Sequence, residues 1–182
     1  MSNMPLLITI GLAFCGYIVA FLNGAHVAKR KDRLELLNKQ MANFYGPLYV
    51  ASHVGRAAVT AFFTSIGIKL DIDKDLPLKN PLTKEQEVEY RIWVENVFMP
   101  INDWCEKLMR ENAHLIREKR MPKCILDFLG HVSVYRAVIA KWEKKDFSQI
   151  YSAIPFPNEL HSYAAKSYNE LKDEQLRLIN SL

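Results

Sequence analysis

The chain has 182 residues, a length that fits one domain. Gly and Pro together supply 15 of them, below the usual share of about 12%, which excludes a collagen-like or low-complexity chain and weighs against an all-β sandwich. Three widely spaced cysteines form neither a disulfide framework nor a paired-Cys zinc pattern, and a net charge of +4 is too small to mark a nucleic-acid binder.

Charge placement is the strongest signal. No charged side chain precedes Lys29, and residues 4–22 (MPLLITIGLAFCGYIVAFL) hold Thr9 as their only clearly polar member. Nineteen helical residues at about 1.5 Å each reach roughly 29 Å, the hydrocarbon thickness of a bilayer. A cleavable signal peptide would need a basic segment ahead of the apolar run and small residues at a cleavage site. Nothing basic precedes the run, and Asn23, Gly24, Ala25 and His26 fit such a site poorly. The expectation is a retained single-pass transmembrane anchor over residues 1–28.

Residues 29–39 carry Lys29, Arg30, Lys31, Arg33 and Lys39 against Asp32 and Glu35. Basic flanks stay on the cytoplasmic side, so the N-terminus is expected outside and the remainder of the chain inside. Lys29, Arg30, Lys31 and Arg33 are also candidates for contact with anionic lipid headgroups, at about 1 kcal/mol per cation near the surface. A topology signal alone is the plainer reading of the same cluster.

Leu34, Leu37, Met41, Phe44 and Leu48 follow 3-4-3-4 spacing, which places them on one face of a basic juxtamembrane helix over 29–45. The seam is short, so packing within the domain is favoured over an independent coiled coil. Gly46-Pro47 is expected to interrupt this helix, and a new one to run from Pro47 to about Gly67. Residues 46–68 are long enough to span a membrane, but His53 and Arg56 sit near their middle. An Arg at the centre of a span costs roughly 2.5–3.5 kcal/mol, which favours a core helix over a second span.

Residues 69–82 read as a loop, and Thr83 with Gln86 forms a capping box that starts the next helix. Its apolar stripe is Val94, Val97, Phe98, Ile101, Trp104, Leu108 and Leu115, with Pro100 expected to kink or split it. A polar turn over 117–123 precedes a helix bearing Ile125, Phe128, Leu129, Val132, Tyr135, Val138, Ile139 and Trp142. Lys144, Lys145 and Asp146 end it, 147–157 connect, and a last helix carries Leu160, Ala164, Tyr168, Leu171 and Leu178. No stretch alternates with period two. The expected fold is all-α: a transmembrane helix, then a cytoplasmic domain over 46–182 built as a bundle of about five helices.

Candidate chemistry is sparse. Glu111 and His114 form one Glu-x-x-His, the spacing that di-iron bundles use, but such a site needs a second copy and two more carboxylates. Asp127 with His131 is the nearest substitute, so Glu111, His114 and His131 are weak metal candidates and no cofactor is expected. Tyr45, Tyr49, His53 and Arg56 form a polar-aromatic stripe. It could line a ligand pocket or contact lipid headgroups, but hydrogen bonding across the bundle is the favoured reading. Asn96, Asn102, Asn112 and His131 lie in or beside apolar faces and suggest a polar network that fixes helix register. No phosphate-cradling loop, nucleophile elbow or zinc-protease motif occurs, so no enzyme is expected.

The strings NFYGPLYVASHVGRAA, ENVFMPINDWCEKLMRENAHLI and MPKCILDFLGHVSVYRAVIAKW resemble small bacterial membrane-anchored helical proteins of uncharacterised function. The resemblance covers roughly residues 38–180. It implies a bacterial inner-membrane setting and brings no catalytic or binding residue with it. The leading expectation is a membrane-tethered interaction module, with lipids and a protein partner or a second copy as its contacts and no nucleic acid. The alternative is a stress or phage-defence effector that oligomerises and perturbs the bilayer through residues 46–68. A metal enzyme ranks third.

Overall fold

The computed structural model describes residues 4–69 and 81–180, with side chains from residue 11 onward. The chain is all-helical, and no strand occurs among the described residues. The α-helical segments are α1 (Met4–Gln40), α2 (Gly46–Ser65), α3 (Lys84–Trp93), α4 (Met99–Glu111), α5 (Lys123–Glu143) and α6 (Glu159–Asn180). A π-turn at Met41–Tyr45 joins α1 to α2, and another at Val94–Phe98 joins α3 to α4. The described residues therefore form four continuous rods, fewer than the anchor plus about five helices expected.

The difference arises at the two prolines. Pro47 and Pro100 each stand two residues beyond a π-turn, and the residue before each bonds five positions back: Gly46 N–H to Met41 O, Met99 N–H to Val94 O. A proline ring in an α-helix strikes the carbonyl four residues earlier. The wider turn moves that carbonyl aside, so the helix absorbs the proline without breaking. Gly46 is required on its own account, because a Cβ there would lie 2.5 Å from Met41 O. Met99, at the equivalent place of the second turn, carries a full side chain, so this crowding belongs to the first turn alone.

Other boundaries agree with local chemistry. α2 ends at Ser65, two residues before Gly67, whose φ of +78° suits glycine. Thr83 and Gln86 form the reciprocal capping box, with Thr83 Oγ1 accepting from Gln86 N–H at 3.3 Å and Gln86 Oε1 accepting from Thr83 N–H at 2.9 Å. Most of the loop expected over 69–82 lies outside the described residues.

α2 packs against α4 and α6, and α5 closes the ring by packing against the same two helices. The last third of α1 lies along α6. Leu37, Phe44 and Leu48 of the heptad seam are fully buried in the core beside Ile125, Phe128, Val132, Leu160 and Leu171. The seam thus serves the bundle. Phe62, Phe63 and Leu82, with Tyr90, Trp93 and Phe98, form a second apolar cluster toward the end of α2. Trp104 departs from the predicted stripe and stands 44% exposed on α4, since Cys105, Leu108 and Met109 take the inner face.

Candidate functional site

The first helical rod is the most unusual surface of the molecule. It is continuous over Gly11–Ser65, and its apolar window, with mean hydropathy 1.5, has no part buried in the bundle. One helix is therefore long and apolar enough to cross a membrane. Leu12, Phe14, Tyr17, Val19 and Phe21 are each more than 60% exposed. Apolar side chains exposed on all sides of a helix are stable in lipid and costly in water.

Where the rod meets the bundle, the basic cluster gains tertiary partners. Arg33 forms a two-pronged pair with Glu174 of α6, at 2.8 Å and 2.9 Å, and Gln175 donates to Asn38 at 2.7 Å. His26, Lys29, Arg30 and Arg33 fall at i, i+3, i+4 and i+7, hence on one face. That face and Leu178 near the end of α6 line an open cleft of about 470 Å³, together with Asn23 and Val27. Lys31 does not line it. Sequence spacing alone could have found this face, but nothing local announces that α6 returns to wall it.

The polar-aromatic stripe, which starts in the first π-turn and continues on α2, lies largely along α6. Tyr45 is buried, its hydroxyl accepting the Arg117 N–H at 3.1 Å and donating to Glu118 Oε2 at 3.2 Å. Tyr163 donates to the same carboxylate oxygen at 3.1 Å. Burial raises the pKa of both phenols, so they stay protonated. Tyr49 stacks on Tyr168, with ring centres 4.9 Å apart. His53 donates to the Tyr49 carbonyl at 3.0 Å and stands edge-on to His161 at 4.6 Å. Arg56 also has an interaction partner. Within the stripe Tyr45 and His53 therefore hydrogen-bond and Tyr49 stacks on a neighbouring ring.

The weak metal candidates do not converge. α4 ends at Glu111, and Asn112 leaves helical geometry (φ −115°, ψ 20°), so Glu111 and His114 do not share a helix face as their spacing implied. Glu111 lies 3.9 Å from Lys107 in an ion pair, and His114 belongs to a separate 3-10 turn. Asp127 pairs with Lys123 rather than with His131. Among the described residues no group of three or more His, Cys, Asp or Glu gathers to hold a metal.

His131 is instead part of a strap. The connector 147–157 lies over α5 and supplies carbonyls to its buried polar side chains: Ile154 O to His131 Nδ1 at 2.7 Å, Ile150 O to the Tyr135 hydroxyl at 3.1 Å, Gln149 O to Trp142 Nε1 at 2.8 Å. Burial lowers the pKa of His131, which fits a neutral ring donating one N–H to a carbonyl. The predicted asparagine network does not form. Asn96 and Asn112 donate to carbonyls one turn back, Ile92 O and Leu108 O, which is local bonding that fixes no register between helices. Polar contacts between elements within the bundle include Gln40 Nε2 to Leu115 O at 2.9 Å, Tyr90 to Tyr135 at 2.8 Å, and Arg136 to Glu106.

Glu106 is the one buried carboxylate among the described residues, with its side chain 7% exposed. Arg136 and Arg110 both bond it, and these partners, Arg136 first, hold its carboxyl below the usual range. The open groove around it, lined by Asp103, Lys107 and Glu111, is bordered by alternating charges of opposite sign. Cys105 is buried beside it, with its thiol pushed up to about 12 by burial and so poorly nucleophilic. No family model matches the chain, and neither the curated proteins nor the solved structures contain a match.

Proposed function

We propose that the protein is a membrane-tethered helical interaction module, held by its first helix in a bacterial inner membrane. The N-terminus lies outside, and the bundle sits at the cytoplasmic face, where it engages a protein partner or a second copy. The observation that carries this reading is the continuous rod. Exposed apolar side chains over its first part pass without a break into a helix whose Leu37, Phe44 and Leu48 are fully buried in the bundle. The basic cluster between the two supports the orientation. The bundle's buried tyrosines, histidine and carboxylate bond to backbone or to neighbouring side chains such as Arg110, Arg136 and Glu118, an arrangement that supports a stable platform.

Reporter fusions after Leu182 and within the 69–82 loop test the topology. Both reporting cytoplasm supports the tether, and a pull-down from the inner side then seeks the partner. Both reporting the far side overturns it. Depolarisation of cells on induced expression would favour the membrane-perturbing effector instead.

A further inference from the structure

We propose that the cleft between α1 and the end of α6 is a binding site for the phosphate of an anionic phospholipid headgroup. The inference rests on the tether reading, since it takes the first helix to lie in lipid. With residues 4–22 in the hydrocarbon, His26 stands about 6 Å beyond Leu22, and Lys29 and Arg30 about 10–12 Å beyond it. The headgroup layer on each side of a bilayer is about 5–8 Å deep.

Side chains on a helix lean toward its N-terminus. Long cationic side chains at 29 and 30 therefore lean back toward the phosphates and can snorkel to them. The i, i+3, i+4, i+7 spacing gathers His26, Lys29, Arg30 and Arg33 on the face that α6 walls with Leu178. Arg33 is matched by Glu174, which fixes that wall. Lys29 and Arg30 add two more cationic side chains to the cleft's lining, while Val27 and Leu178 offer apolar surface for the first acyl carbons. A basic, partly apolar recess beside a lipid-facing helix complements an anionic lipid in both charge and polarity.

Full-length protein in mild detergent is titrated with phosphatidylglycerol or phosphatidylcholine, and bound lipid is read by native mass spectrometry. The wild type is expected to retain phosphatidylglycerol in preference. The Lys29→Gln, Arg30→Gln double variant should lose affinity about tenfold or more. A distal pair, Lys144→Gln with Lys166→Gln, should leave it unchanged. Equal retention of the two lipids, an unaffected double variant, or displacement of the lipid by inorganic phosphate at equal concentration would each overturn the proposal. Flotation with pure phosphatidylcholine vesicles separates the two readings. A protein that fails to float removes the tether itself, whereas one that floats without headgroup preference removes only the cleft.

Discussion

Tyr45 shows how much one hydroxyl can organise. Its OH ties the π-turn between α1 and α2 to the turn after α4 through Arg117 N–H and Glu118, and Glu118 in turn receives Tyr163 from α6. Replacing it with Phe leaves a backbone donor unsatisfied, so Tyr45→Phe should cost about 1–3 kcal/mol. A lower urea midpoint at unchanged m-value is the expected result, and an unshifted midpoint would contradict it. Glu106 contributes to acid stability. Its folded pKa is depressed by Arg136 and Arg110, so its contribution is complete above the unfolded value of about 4.3 and is lost as pH falls through the folded value. His131, also depressed, adds a loss below about 6.5, because the unfolded ring takes up a proton that the buried ring resists. Thermal midpoints should therefore decline on acidification, and Glu106→Gln should flatten the part below pH ~4.3 while lowering stability at neutral pH.

Among the elements, the two π-turns set the architecture. They let helices pass through Pro47 and Pro100, and the first leaves room only for glycine at 46. Gly46→Ala should destabilise by about 1–3 kcal/mol, because a methyl group must displace the Met41 carbonyl or the turn. Gly55 is the control on the same helix, where a Cβ would meet only Ile101 Cγ2 at an ordinary 3.9 Å. Gly55→Ala should stabilise by about 0.5–1 kcal/mol through helix propensity. Opposite signs in thermal melts are the expected pair, and a shared sign would mean that the first turn is not crowded. The connector 147–157 acts as an element despite its lack of helix, since three buried polar side chains of α5 find their carbonyls there.

For the protein as a whole, the continuity of the first rod matters most. The rod that carries the apolar surface is the rod whose later turns form the core, so the apolar segment runs into the bundle as one unbroken helix. The cysteines offer a test of this partition. Cys15 is exposed on the apolar rod, whereas Cys105 is buried in the bundle. In lipid vesicles both should resist a water-soluble maleimide. Detergent exchange should not release Cys105, whose labelling should appear only in the urea transition that removes helicity. Rapid labelling of Cys105 in the folded protein would place it outside the core.

Much was legible in the chain read as a string. The absence of charge before Lys29 marks a candidate span, the Thr83–Gln86 capping box marks a helix start, and 3-4 spacing marks the buried faces of Leu37, Phe44 and Leu48. These are properties of neighbouring residues, settled within a few turns of one helix. The passage of helices through two prolines was not legible, because the i→i+5 turn that permits it depends on tertiary packing as well as on local propensity. Nor were the partners of His131, Tyr135 and Trp142, the burial of Glu106 between two arginines, or the wall that α6 adds to the basic face of α1. Each joins groups that stand apart in sequence or on separate elements, and a buried donor or charge is satisfied by whichever distant group the packed fold brings within 3 Å.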